Sequence, residues 1–116
     1  MHELPITEKI LAIVLRHAEA AGAQRVVSVR LTIGAASDLE GEWIQKYFDH
    51  LSRDTVAHRA MLRIERAAAA MTCPACGRSF EADAGAWQDA RCPDCGDARC
   101  QLVSMPPYRI EDMQVI

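Results

Sequence analysis

Cys73-Pro74-Ala75-Cys76-Gly77 and Cys92-Pro93-Asp94-Cys95-Gly96 are two copies of one short turn, and they decide how the chain is divided. In each, a two-residue gap turns the backbone so that both sulfurs face one point. The proline fixes the approach, and Gly77 or Gly96 takes the positive φ that the turn demands. Two such turns supply four thiolates, the donor set of a closed, tetrahedral structural zinc site. A closed site has no open position at which to activate water. Its binding energy, about 10–16 kcal/mol by analogy with zinc-finger peptides, goes into folding. The competing readings are two redox pairs or an iron–sulfur site, but redox pairs ordinarily stand singly near a βαβ pattern, and none is read here. The remaining cysteine, Cys100, reads as a small core-facing residue in a strand from Arg99 to Met105.

From Cys73 to Cys100 the chain is rich in Cys, Pro, Gly and Asp and poor in large apolar side chains. Such a segment buries no useful core unaided. The chain before it is different. Pro5 to Ala21 carries Ile6, Ile10, Ile13, Val14 and His17 at helical spacing, with Gly22 placed to end the helix. Arg25 to Ile33 alternates as a half-buried strand, with Val27, Val29, Leu31 and Ile33 on one face. Gly34 to Gly41 is a turn holding Asp38 and Glu40, which could cap the next helix. In that helix Trp43, Ile44, Tyr47, Phe48 and Leu51 form a second apolar stripe, read as core. Met61 to Arg66 alternates again and is free to run on through the alanines. After Pro106-Pro107, Tyr108 to Ile116 looks like a last strand, with Tyr108, Ile110, Asp112, Gln114 and Ile116 on one side.

The bulk numbers bound the class. The chain has 116 residues, half of them apolar and a quarter charged, which is a globular profile. No apolar run approaches the roughly 20 residues that span a bilayer. The start lacks the basic region and apolar core of a signal peptide, so a cytoplasmic location is expected. Disulfides are rare there, which favours metal ligation or plain thiols for the five cysteines. A net charge of −3 argues against a nucleic-acid binder that relies on a basic face. No catalytic Ser/His/Asp or Cys/His arrangement and no phosphate-cradling glycine loop is legible, so no enzyme is expected.

Met1-His2-Glu3 carries its own chemistry. The terminal amine, the His2 amide nitrogen and the His2 imidazole can close two fused chelate rings around one metal. Nitrogens in a plane suit nickel(II) or copper(II), whereas zinc prefers a tetrahedral set. Glu3 can add a carboxylate or hold a ligand in place.

Together, the opening Met1-His2-Glu3-Leu4, a helix, the Arg25–Gly34 strand, a second helix with Tyr47-Phe48-Asp49, and the paired Cys-x-x-Cys module resemble the HypA family. These are nickel chaperones of nickel–iron (NiFe) hydrogenase maturation. The resemblance covers nearly the whole chain. It implies an α+β fold of two helices on a three-stranded sheet, with a four-cysteine, zinc-ribbon-like module inserted before the last strand. Residues 1–71 would form the nickel-binding domain, completed by a C-terminal strand over 106–116, and residues 72–105 the zinc-binding domain.

Carried over by residue, the resemblance puts nickel on the Met1 amine, on His2 and on Glu3, with Glu40 or, nearby, Asp38 as a further acidic ligand. Zinc falls on Cys73, Cys76, Cys92 and Cys95. The implied cofactors are Ni(2+) and Zn(2+), and the implied partners a HypB-type GTPase and the hydrogenase large-subunit precursor. Neither nucleic acid nor membrane is expected as a partner. A homodimer by exchange of the last strand is compatible with that strand's place after the whole zinc module. Histidines that flank the cysteine pairs in some members are missing here, and the gap between the pairs is slightly long, which enlarges a surface loop.

His50, His58, Arg59, Arg63 and Arg66 read as solvated surface, and His17 as core or interface packing. The rival reading is a zinc-ribbon adaptor for nucleic acid or a transcription protein, which uses the same four cysteines and leaves His2 without a role.

Overall fold

The computed structural model describes residues 3–116. Its first element, α1 (Glu3–Ala20), buries Thr7, Ile10, Leu11, Val14 and Ala18 along one stripe. Pro5 lies in the first turn, where a missing N–H costs nothing. Gly22, at φ 64°, ends the helix. The Ala23 N–H reaches the Ala18 carbonyl at 2.9 Å and the Gly22 N–H the Glu19 carbonyl at 3.0 Å, a Schellman closure. The stripe centres on Ile10 and Val14, so His17 falls on its solvent edge, exposed and outside the core.

β1 (Val26–Ile33) leads through α2 (Gly41–Leu51) to β2 (Met61–Arg66), and the two strands pair in parallel, from Ser28 with Met61 to Ile33 with Arg66. This is a βαβ unit after all. Alternation in a sequence reports one buried face and says nothing of pairing direction, so the parallel relation left no mark there. None of the four paired cysteines lies on it. β6 (Tyr108–Val115) pairs antiparallel with the other edge of β1, giving the order β2-β1-β6. Val29, Leu31 and Ile33 of the sheet share one core with Ile10 and Val14 of α1 and Ile44 and Phe48 of α2. The expected α+β architecture of two helices on a three-stranded sheet is thus present.

Two bulges correct the strand faces. Val26 pairs with Val115 and Ser28 with Gln114, which leaves Val27 as an extra residue; Val26, not Val27, enters the core. Arg30 pairs with Asp112 and Leu31 with Ile110, which leaves Glu111 extra on β6. The inward residues of β6 are therefore Tyr108, Ile110 and Met113, and not one unbroken alternation.

On α2 only Ile44 and Phe48 are buried. Trp43 and Tyr47 are half-buried, their rings 5.9 Å apart, with the Lys46 ammonium 4.8 Å from the Trp43 ring centre. Trp43 and Tyr47 each precede a buried residue by one position, about 100° around the helix, so they fall on the flank of the Ile44/Phe48 face. His50 and His58 are exposed.

A second sheet is built from β3 (Ala69–Thr72), β4 (Ser79–Ala82) and β5 (Gln101–Leu102), in the order β4-β3-β5. Ala69 and Ala70 open this sheet and do not prolong β2. The strand read from Arg99 to Met105 contracts to Gln101–Leu102. Ala69 and Met71 form a small core with Ala35, which reaches over from the loop after β1. Phe80, Trp87, Cys100 and Leu102 pack against it, half-buried. The molecule measures 54 × 28 × 16 Å and its radius of gyration is 17.4 Å. A compact domain of this length would have about 13 Å, so the two sheets form two bodies rather than one. Among the described residues no helix is long and apolar enough to cross a membrane.

Candidate metal centres

The two cysteine turns are built alike. The Cys73 N–H donates to the Arg78 carbonyl and the Gly77 N–H to the Cys73 carbonyl, both at 2.9 Å. The Cys92 N–H donates to the Asp97 carbonyl at 3.1 Å and the Gly96 N–H to the Cys92 carbonyl at 2.8 Å. Gly77 and Gly96 take φ of 76° and 73°, as the turn requires. Between the turns, the Cys73 and Cys95 sulfurs are 3.5 Å apart, as are those of Cys76 and Cys92. All four lie within 4.8 Å of one another. A zinc ion with Zn–S bonds of about 2.3 Å needs sulfur–sulfur edges of about 3.8 Å. The set has the size and the chemistry of a four-thiolate zinc site.

Its electrostatics call for a cation. The Cys76 amide hydrogen-bonds the Cys73 sulfur and lowers that thiol to about 7. The Cys95 amide lowers Cys92 in the same manner. Cys76 and Cys95 go the other way. The Arg78 and Asp97 amides pull them down, but neighbouring sulfurs and burial outweigh this, and Cys95 is pushed up to about 12. Four thiols this close cannot all ionise unaided; a dication at their centre removes the obstacle.

Asp97 braces the second turn. Its carboxylate takes the Arg99 amide and the Arg99 Nη2, each at 2.7 Å, and Arg99 holds its pKa down at about 2. Its carbonyl accepts from the Cys92 amide and, at 3.3 Å, from the Cys100 thiol. Cys100 is half-buried in the small core and lies outside the four-sulfur group.

The second candidate centre is at the start of α1. Met1 and His2, expected as nickel ligands, lie outside the described residues. Glu3 is only 4 % exposed, and its Oε2 accepts the Glu40 N–H at 3.1 Å. Glu40 occupies the N-cap position of α2 without making a side-chain cap, and its side chain and that of Asp38 are exposed. The fold thus brings Glu3 to the loop that carries Asp38 and Glu40, the acidic residues singled out from the sequence. That loop has a further fastener, which no motif announces. Arg66 is exposed, as the sequence reading expects, and yet donates Nη1 to the Gly34 and Ser37 carbonyls at 3.1 and 2.8 Å and Nη2 to the Leu39 carbonyl at 2.7 Å.

The profile of the family described as "Hydrogenase/urease nickel incorporation, metallochaperone, hypA" matches residues 1–115. The chain belongs to the HypA family. A relative from Rhizobium leguminosarum bv. viciae, named hydrogenase maturation factor HypA, is 36% identical over 116 residues, covering 100% of both chains. One from Dehalococcoides mccartyi with the same name is 32% identical over 115 residues, 99% of this chain and 94% of that one. Among solved structures, the nickel metallochaperone HypA of Helicobacter pylori superposes with a TM-score of 0.69 at 20% identity, covering 100% of this chain and 98% of the other. A second HypA solution structure gives 0.72, also at 20% identity, over 100% and 97%. At that identity the structural likeness speaks for the HypA fold.

Proposed function

We propose that this chain is a nickel metallochaperone that takes Ni(II) at its N-terminus and hands it on for NiFe-hydrogenase maturation. The family match over residues 1–115 carries this reading and favours it over the adaptor alternative. The buried Glu3 carboxylate beside the Asp38–Glu40 loop fits it. The nickel ligands are the Met1 amine, the His2 imidazole and amide, and Glu3, with Glu40 or Asp38 as an added carboxylate. Zinc is held by Cys73, Cys76, Cys92 and Cys95 and shapes the module whose sheet opens with β3 (Ala69–Thr72), a few residues earlier than the expected boundary at 72. The elements up to β2 (Met61–Arg66), closed by β6 (Tyr108–Val115), make up the cargo domain. A carrier delivers and releases, so it needs few ligands and no turnover; the chain is no enzyme. A HypB-type GTPase and a hydrogenase large-subunit precursor, both cytoplasmic, are the partners this role calls for.

The terminal amine has a reference pKa of about 8 and must lose its proton to bind, so nickel affinity falls as the pH drops below neutral. The test is calorimetric titration of Ni(II) into zinc-loaded protein with a native N-terminus, into His2→Ala, and into protein tagged before Met1. Both altered forms should lose nickel binding and keep zinc. Equal binding by all three would remove the terminal-amine site.

A further inference from the structure

Leu39 and Glu40 share one peptide group, and both of its polar ends are claimed by charged side chains. The Leu39 carbonyl accepts Arg66 Nη2 at 2.7 Å, and the Glu40 N–H on the opposite side donates to the Glu3 carboxylate at 3.1 Å. Because the peptide is planar and stiff, fixing its oxygen fixes the direction of its N–H. A cation on the carbonyl and an anion on the N–H polarise the group in the same sense, so each bond strengthens the other.

Arg66 does more than meet this one carbonyl. It gathers those of Gly34 and Ser37 as well, and the buried Leu39 side chain anchors the same turn in the main core. Three carbonyl dipoles aimed at one point repel one another unless a cation sits there. The guanidinium fork answers several acceptors at once, which an ammonium point charge does less well. The fork is well placed because Arg66 ends β2 opposite Ile33, the last residue of β1 before the loop begins.

We infer that Arg66 is a positioning residue of the cargo site: through the Leu39–Glu40 peptide it sets the Glu3 carboxylate, and with it the acidic loop. The inference rests on the proposed nickel site at the N-terminus. Groups that orient a metal's ligands typically matter about 10–100-fold for affinity.

The test compares zinc-loaded protein with a native N-terminus, as wild type, Arg66→Met, Arg66→Lys and His2→Ala. Ni(II) is titrated by calorimetry and by its d–d absorption. Arg66→Met should weaken nickel binding by about tenfold and shift the absorption band. Arg66→Lys should fall between, and both should keep one zinc per chain and the wild-type circular dichroism. Wild-type affinity and spectrum in Arg66→Met would overturn the inference. Should Arg66→Met fail to fold, amide exchange in Arg66→Lys decides. The Glu40 amide should exchange faster while β1 amides stay protected, and unchanged Glu40 protection would equally overturn it. The two readings fail separately. If wild type and His2→Ala bind nickel alike, the N-terminal site is wrong; if only His2→Ala is impaired, the role of Arg66 is wrong.

Discussion

The backbone N–H of Glu40 donates to the carboxylate of Glu3 at 3.1 Å, tying the first turn of α1 to the loop that precedes α2. With Glu3 only 4 % exposed, its bond to the loop and its proposed ligation of nickel separate by substitution. Glu3→Gln keeps an oxygen for the Glu40 amide and should shift stability little while weakening nickel binding. Glu3→Ala leaves a half-buried donor unmet and should cost about 1 kcal/mol as well. Urea unfolding of both, alongside nickel titration, resolves the two. Equal stability of the two variants would mean that the bond contributes nothing.

The zinc module has a core of Ala69, Met71 and Ala35, too small to stand without metal. Chelation should therefore release the amide protection of β3, β4 and β5 while β1, β2 and β6 stay protected around their own core. Trp87 belongs to the small core and Trp43 to α2, so fluorescence can follow each body. In Trp43→Phe protein the emission should move to longer wavelength on chelation; in Trp87→Phe protein it should hardly change. Uniform loss of exchange protection would show that the two bodies fold as one.

Zinc retention should fall with acid, and the sign comes from the thiols. Zinc binds thiolates, so every thiol that is protonated in the free site puts a proton in competition with the metal. Cys95, pushed up to about 12, is protonated at all ordinary pH, whereas Cys73, lowered to about 7, loses its proton through the neutral range. The apparent affinity should rise with pH throughout, and fall more steeply below about 7, where Cys73 adds its own proton to the competition. Competition with a chelator of known affinity from about pH 6 to about pH 9 measures this. A pH-independent affinity would contradict the thiolate site.

What the sequence could disclose was local or carried by side-chain identity. The two Cys-Pro-x-Cys-Gly turns, the Gly22 helix end and the Ile10/Val14 stripe each lie within a few residues, and the structure keeps them. The bulges at Val27 and Glu111 are properties of a pair of strands, so neither strand alone reveals them. Arg66 is hidden for a related reason. Its partners are the carbonyls of Gly34, Ser37 and Leu39, and a carbonyl has no residue type to recognise. Met1 and His2 stand out by their ligand chemistry alone.

Gly34 gives the sharpest test of how the two bodies are joined. Its N–H donates to the Pro107 carbonyl at 2.9 Å, and a Cβ placed on it would lie 2.6 Å from the Pro106 carbonyl oxygen. That oxygen belongs to the strand-entry segment returning from the zinc module and is backbone, so it cannot swing aside as a side-chain tip would. Gly34→Ala must push the returning chain away from the end of β1, straining the bond to Pro107 and the Ala35 contact with the small core. A loss of about 1–3 kcal/mol, the usual cost of overpacking, is expected. Gly85→Ala serves as the control, since its Cβ would meet nothing within 4 Å. It should be neutral or stabilise by up to about 1 kcal/mol through the unfolded chain. Urea midpoints of zinc-loaded Gly34→Ala and Gly85→Ala measure the difference. If both variants matched wild type, the close approach of Gly34 to Pro106 would not constrain the junction.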